Sequence, residues 1–93
     1  MDLYRPSGVT QSITTSGTSA AMSSAIAAST YAVLITASAD AYVTFGSAPT
    51  ATAANGVMLA ADWPTYFRIS PGEKVAALQV SGAGTVYVSE LTR

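Results

Sequence analysis

The carboxylates and a single lysine are the groups in this chain with acid–base or nucleophilic potential. The carboxylates are Asp2, Asp40, Asp62, Glu73 and Glu90. Histidine, the usual side chain for proton transfer near neutral pH, is absent, and a serine or threonine nucleophile needs an adjacent base. The lysine, Lys74, stands beside Glu73 in a predicted turn. We therefore predict that the protein is not an enzyme and has no catalytic residues, although two of the carboxylates could meet in space as a glycosidase pair does.

Metal, cofactor and phosphate sites have little support in the sequence. Without histidine or cysteine only oxygen ligands remain for a metal ion, and no acidic cluster has the spacing of a calcium loop. The glycines of the SGAG stretch, residues 81–84, precede a predicted strand and not the helix N-terminus that binds phosphate. We expect no metal and no cofactor.

Length and charge restrict the class of protein further. The chain has 93 residues, with 10% charged residues and a net charge of −1, so it holds one domain at most. Low net charge argues against disorder, and the lack of a basic face argues against nucleic acid as a partner. The uncharged stretch 20–39 is as long as a membrane span but too rich in Ser, Thr and Ala to insert, and the amino terminus lacks the pattern of a signal peptide.

The elements that position these residues are predicted to be short strands. Two strands are expected around Gly17, with a helix over 19–29 as the competing prediction. Alternating β-rich runs over 31–46 and over 75–91 each indicate a hairpin, and further strands are expected at 57–59 and 65–69. In the turn SPGEK, residues 70–74, proline presets one turn position and Gly72 is expected to supply a positive φ.

About eight short strands with turns between them predict an all-β protein, a small antiparallel β-sandwich or jelly roll, with a small open barrel as the alternative. We divide the chain into an N-terminal arm, 1–9, and a single β-sandwich domain, 10–93. Glu73 and Lys74 are expected at a solvated turn, and Glu90 and Arg93 at the frayed end of the last strand.

Three tyrosines alternate with aliphatic residues that are predicted to face the core. Tyr42, Tyr66 and Tyr87 have the opposite parity from their apolar neighbours, so an outward surface is expected to carry them together with Arg68. Tyrosine and arginine are enriched in protein interfaces. The alternative interpretation is that tyrosine is simply favoured in half-exposed strands.

The amino terminus and the tryptophan are two further candidates. Leu3, Tyr4 and Arg5 precede the first predicted strand and are placed either in an arm along a neighbouring subunit or in an ordinary frayed terminus. Trp63, at a strand entrance before proline, is expected to plug the core, with an exposed sugar-binding position as the alternative.

The order of these motifs resembles a known group of proteins. The stretches VTFGSAPTATAANG, PTYFRISPGEKVAALQ and GAGTVYVSEL, within residues 10–91, are similar to the small all-β structural proteins encoded beside capsid genes in tailed bacteriophages, some of which are capsid cement or decoration proteins. These motifs are turns and strands, so they are more specific for the fold than for the role.

The resemblance implies a non-enzymatic virion protein on the outer capsid surface, made in the host cytoplasm. Its partners would be the major capsid protein and further copies of itself, with a trimer favoured over a dimer, and it would bridge neighbouring capsomers. The candidate oligomer and capsid contacts are Leu3, Tyr4, Arg5, Tyr42, Tyr66, Arg68 and Tyr87. The alternative is a receptor- or glycan-binding module of a tail or fibre.

Overall fold

Strands and turns make up the computed structural model, which describes residues 5–28 and 30–92 and contains no helix in these ranges. The strands are β1 (Arg5–Thr14), β2 (Ala20–Ala21), β3 (Ala32–Ala37), β4 (Ala41–Gly46), β5 (Val57–Leu59), β6 (Thr65–Arg68), β7 (Lys74–Gln79) and β8 (Thr85–Thr92). The predicted all-β class is confirmed. Residues 19–28, for which a helix is the competing prediction, form the short strand β2 and irregular backbone.

The strands form two antiparallel sheets that pack face to face. Sheet I has the order β1-β8-β3-β6 and sheet II the order β2-β7-β4-β5. The pairs are therefore nested along the chain, β1 with β8, β2 with β7, β3 with β6 and β4 with β5, and successive pairs alternate between the sheets. This nesting is the topology of a jelly roll. The predicted sandwich or jelly roll is confirmed, and the open barrel is not formed.

The two predicted hairpins are wrong. β3 and β4 lie in different sheets, and so do β7 and β8. In both cases a short connector carries the chain across the sandwich instead of returning it beside the preceding strand. Turn residues between two alternating runs indicate only that the chain reverses direction. They occur both in a hairpin within one sheet and in a connection between two sheets, so the sequence does not distinguish the two.

The core lies between the sheets and is built from the predicted aliphatic parity. Its most buried side chains, all 2% exposed or less, are Met22, Val33, Ile35, Val43, Val75, Val86 and Val88. Phe45 and Phe67 pack against this cluster with ring centroids 5.2 Å apart. Each fully buried aliphatic side chain contributes about 1.5–3 kcal/mol relative to exposure.

Glu90 closes one end of the core, which corrects the prediction that it lies exposed at a frayed strand end. Its side chain is 3% exposed, and it shares the inward parity of Val86 and Val88 in β8. Its Oε1 accepts hydrogen bonds from the Thr30 hydroxyl at 2.7 Å and from the Ala27 N–H at 3.3 Å. The carboxylate therefore ties the connection between β2 and β3 to the sandwich. Arg93, paired with Glu90 in that prediction, lies outside the described residues.

Candidate interaction surface

The predicted tyrosine surface is divided between the two sheets. Tyr66 and Tyr87 lie on the outer face of sheet I together with Arg68, whereas Tyr42 lies on the outer face of sheet II. The expectation of one surface carrying all four residues is therefore wrong. Strand parity fixes which side of its own sheet a side chain occupies, but it does not say to which sheet the strand belongs.

The predicted N-terminal contacts are only partly described. Leu3 and Tyr4 lie outside the described residues. Arg5 begins β1, where its backbone pairs with Thr92 of β8. The backbone from Arg5 to the predicted arm boundary therefore belongs to an edge strand of sheet I, interrupted by a bulge in which Gly8 has φ +96°.

The outer face of sheet I, which we call the open face, is a weakly charged surface with exposed aromatic rings. Tyr66 is 69% and Tyr87 is 47% exposed. The register places Leu34 of β3 directly beside Tyr66 on one side and Ser89 on the other. Among the described outward side chains of this face, Arg68 is the only charged one. The same face also carries Leu91, which pairs with Ala32 and is only 4% exposed although it lies outside the core cluster. The other outward residues are small or hydroxyl-bearing: Thr10, Ser12, Thr14, Ala32, Thr36 and Thr85.

The outer face of sheet II, which we call the covered face, lies beneath residues 47–56, the cover loop between β4 and β5. The loop leaves β4 in the middle of the sheet, and its Ala51 N–H donates to the Ser19 hydroxyl beside β2 at 2.8 Å. It then returns to β5 at the opposite edge of the sheet. Ala51 is buried, and so is the outward-facing Ala76 of β7, although neither belongs to the core cluster between the sheets. The cover loop therefore shields this face.

Hydrogen bonds within the cover loop hold its shape. The Asn55 side chain accepts from the Thr52 N–H at 2.8 Å and donates to the Thr50 carbonyl at 3.0 Å. The Gly56 N–H donates to the Thr52 carbonyl at 2.9 Å. A Cβ on Gly56 would stand 2.7 Å from Cβ of Tyr42, so the loop lies directly on this tyrosine. Tyr42 is accordingly half-buried and serves the fold.

Trp63 is exposed, which corrects the prediction that it plugs the core. Its side chain is 71% exposed, in the connection between β5 and β6. That connection is held to the β3–β4 end of the sandwich, because the Asp62 N–H donates to the Ala37 carbonyl and the Ala61 N–H donates to Asp40 Oδ1, at 2.8 and 2.7 Å. Asp62 has φ +60°, the left-handed conformation that aspartate tolerates. The indole is thus presented to solvent by an anchored loop.

Three of the carboxylates act as hydrogen-bond acceptors for the backbone. Asp40 binds the β5–β6 connection, and Glu90 binds the β2–β3 connection. Glu73 Oε1 accepts from the Ser70 N–H at 2.9 Å in the SPGEK turn, where Gly72 has the predicted positive φ, +85°. No group of three or more acidic side chains that could bind a metal ion occurs in residues 5–28 and 30–92.

Sequence reasoning missed several apolar residues that the structure exposes or brings to the surface, and two of them lie near the candidate surfaces. Leu34 lies on the open face between the tyrosine-bearing strands, and Met58 of β5 is 54% exposed. The alternation that placed Val33 and Ile35 in the core also placed Leu34 outward, so this signal was present. Met58 had no comparable signal, because a three-residue strand shows no clear alternation.

Comparisons with protein-family models, with curated proteins and with solved structures found no match to this chain. In the part of the chain that the structure describes, no helix is long and apolar enough to cross a membrane. Function is therefore inferred from the surface itself and from the resemblance of the sequence motifs.

Proposed function

We propose that the protein is a capsid cement or decoration protein of a tailed bacteriophage, which binds the outer shell as a homo-oligomer and bridges neighbouring capsomers. The observation that carries the proposal is the open face, a weakly charged sheet surface with exposed Tyr66 and Tyr87 around Leu34. Monomeric proteins rarely leave large apolar patches exposed without a binding partner. Aromatic residues in a weakly charged setting are typical of the centre of protein interfaces.

The physical character of this face suits attachment to a regular lattice. A face with a single described charge binds through area and aromatic contacts, and such contacts are individually weak. An oligomer that presents several copies of the face to repeated capsid sites gains affinity through multivalency. The resemblance of residues 10–91 to phage structural proteins supports the capsid as the partner, and it favours a trimer over a dimer.

The experiment that tests the proposal is quantitative mass spectrometry of purified particles from the source. The amount of this chain is compared with that of the major capsid protein. A ratio near one, or a simple fraction of one, is expected for a protein that covers the lattice. Absence of the chain from the particles would overturn the proposal.

A receptor- or glycan-binding role at a tail or fibre is the second candidate, because Trp63 is exposed on an anchored loop. Exposed aromatic rings stack on sugars, and the jelly roll is found in both lectin and capsid domains, so the fold does not choose between the two functions. A few copies per particle, together with glycan binding that Trp63→Ala abolishes, would favour this candidate over the cement role.

A further inference from the structure

The edge of sheet I at β6 has backbone groups that face away from the sheet and have no partner among the described residues. Among the described strands β6 pairs with β3 alone. The Ile69 N–H donates to the Tyr31 carbonyl at 3.0 Å, and antiparallel pairs alternate between hydrogen-bonded and non-bonded positions. Thr65 and Phe67 therefore direct their backbone groups toward β3, and Tyr66 and Arg68 direct theirs outward.

We infer that two copies of the protein associate through β6, antiparallel across a two-fold axis at Phe67, so that the two copies of sheet I become one continuous sheet. In this register Tyr66 of each copy is opposite Arg68 of the other, and their outward N–H and C=O groups form four backbone hydrogen bonds. Both side chains stand on the open face, where each guanidinium lies against a tyrosine ring. The inference rests on the proposed function for its role on a capsid, but not for its test.

The chemistry of the strand selects this register over its neighbours. If the two-fold axis lies one residue closer to the carboxyl end, at Arg68, the Arg68 side chains of the two copies lie directly opposite each other. Like charges in this position are destabilising. Shifting the axis toward the amino end places Arg68 opposite Pro64, which has no N–H to donate. The register centred on Phe67 avoids both penalties.

The other three sheet edges are less suited to pairing. β2 and β5 are only two and three residues long, and very short edge strands resist pairing. β1 is longer, but a bulge between Pro6 and Thr10 interrupts it, and its regular part presents only hydroxyl side chains outward. β6 combines an uninterrupted ladder with an aromatic and a cationic side chain that complement each other across a two-fold axis.

The pairing gives the cement role a definite geometry. A dimer, the second choice of the resemblance, would place two open faces side by side on one surface, so that one dimer spans two neighbouring capsid sites. Because the interface is small, we expect a dissociation constant in the micromolar range. Attachment at both capsid sites would then strengthen dimer binding through effective concentration.

The test is sedimentation velocity of the full chain over about 1 to 100 μM, a range that brackets a micromolar dimer. The wild type is expected to shift from monomer to dimer. Tyr66→Lys places a lysine opposite Arg68 of the second copy and is expected to raise the dissociation constant at least about tenfold. Thr85→Lys, a change to the same residue type on the central strand β8 of the same face, is expected to leave it unchanged. Tyr66→Lys combined with Arg68→Glu restores opposite charges and is expected to restore the dimer.

Each outcome bears on the pairing, on its register or on the proposed function. A wild type that stays monomeric at the highest concentration overturns the pairing, and so does a dimer that Tyr66→Lys leaves intact. Loss of the dimer with Ser12→Lys instead would assign the interface to β1 and likewise overturn it. Failure of the double variant to regain the dimer overturns the proposed register. A monomer that binds capsids contradicts the pairing and the homo-oligomer but not attachment to the capsid, and a dimer that is absent from particles contradicts only the proposed function.

Discussion

The two outer faces of the sandwich have the same architecture and differ in what lies over them. The covered face is shielded by residues 47–56, to the point that Ala76 in the middle of sheet II is fully buried. The open face has no such loop among the described residues, and Tyr66 on it is 69% exposed. The cover loop thus shields the middle of one face, where only the edge residue Met58 remains 54% exposed among its large apolar side chains, and no described loop lies over the other face.

The side chains on the two faces differ accordingly. Close approach of the cover loop requires small residues, and Ala51, Ala76 and Gly56 meet that need. The open face instead has the large side chains Leu34 and Tyr87 on its central strands and Tyr66 on its edge strand, and no described loop covers them. The small residues under the cover loop therefore serve stability, and the large exposed residues on the open face are the ones that we propose for binding.

The largest expected effect is that of Gly56→Ala on the covered face. The added Cβ would stand 2.7 Å from Tyr42 Cβ and 2.8 Å from the Thr52 carbonyl oxygen, so the cover loop must move away from the sheet. Overpacking of this kind costs about 3 kcal/mol. We expect the free energy of unfolding in urea to fall by that amount.

Gly82→Ala is the control for this prediction. A Cβ at Gly82 has no atom within 4 Å, and surface substitutions usually change stability by less than about 0.5 kcal/mol. Equal stability losses in the two variants would show that the close approach of the cover loop does not matter.

A second comparison exchanges the same residue type on the two faces. Ala76→Leu forces a larger side chain beneath the cover loop, whereas Ala32→Leu adds the same atoms to the open face, where Ala32 is only half-buried. We expect a loss of about 2 kcal/mol for the first and less than about 0.5 kcal/mol for the second. Thermal unfolding of both variants measures the difference, and a similar loss from each would contradict the distinction between the faces.

Much of the fold could be predicted from local patterns. The sequence predicts the first and last residues of β5 correctly. Simple alternation of residues also predicts that Val86 and Val88 face the core, as they do. Alternation also predicted Tyr66 and Tyr87 outward. These features depend only on a two-residue period and on turn residues, which are local properties.

The remaining features depend on contacts between distant parts of the chain. The assignment of Tyr42 to the covered face required knowing which sheet contains β4, and the burial of Glu90 required the Thr30 hydroxyl, 60 residues away. The cover loop has the sequence of an ordinary turn-rich connector, and nothing local indicates that it crosses the sheet. Trp63 was assigned to the core from average behaviour, while its exposure follows from where Asp40 and Ala37 anchor its loop.

A smaller effect on stability is expected from removing the anchor of the cover loop. Ser19→Ala deletes the hydroxyl that accepts the 2.8 Å hydrogen bond from the Ala51 N–H. A hydrogen bond of this type contributes about 1 kcal/mol net. Ser12→Ala on the open face is the matched control and is expected to change the free energy of unfolding by less than about 0.5 kcal/mol. Hydrogen exchange should be faster at Ala51 in the Ser19 variant alone, and unchanged exchange there would contradict the anchoring role.

The smallest effect on stability is expected from the two tyrosines that we propose as capsid contacts. Replacing Tyr66 and Tyr87 by serine removes two exposed rings and should change the free energy of unfolding by less than about 0.5 kcal/mol, while co-sedimentation with capsids falls at least about tenfold. Tyr42→Ser on the covered face should instead lower the free energy of unfolding and leave co-sedimentation with capsids unchanged, because that half-buried ring lies under Gly56.

Tyr87→Ser alone leaves β6 intact, so a loss of capsid binding in this variant reports contact with the lattice and not association between copies. Capsid binding that survives the double change would assign the contact to another surface and leave the open face without its proposed role.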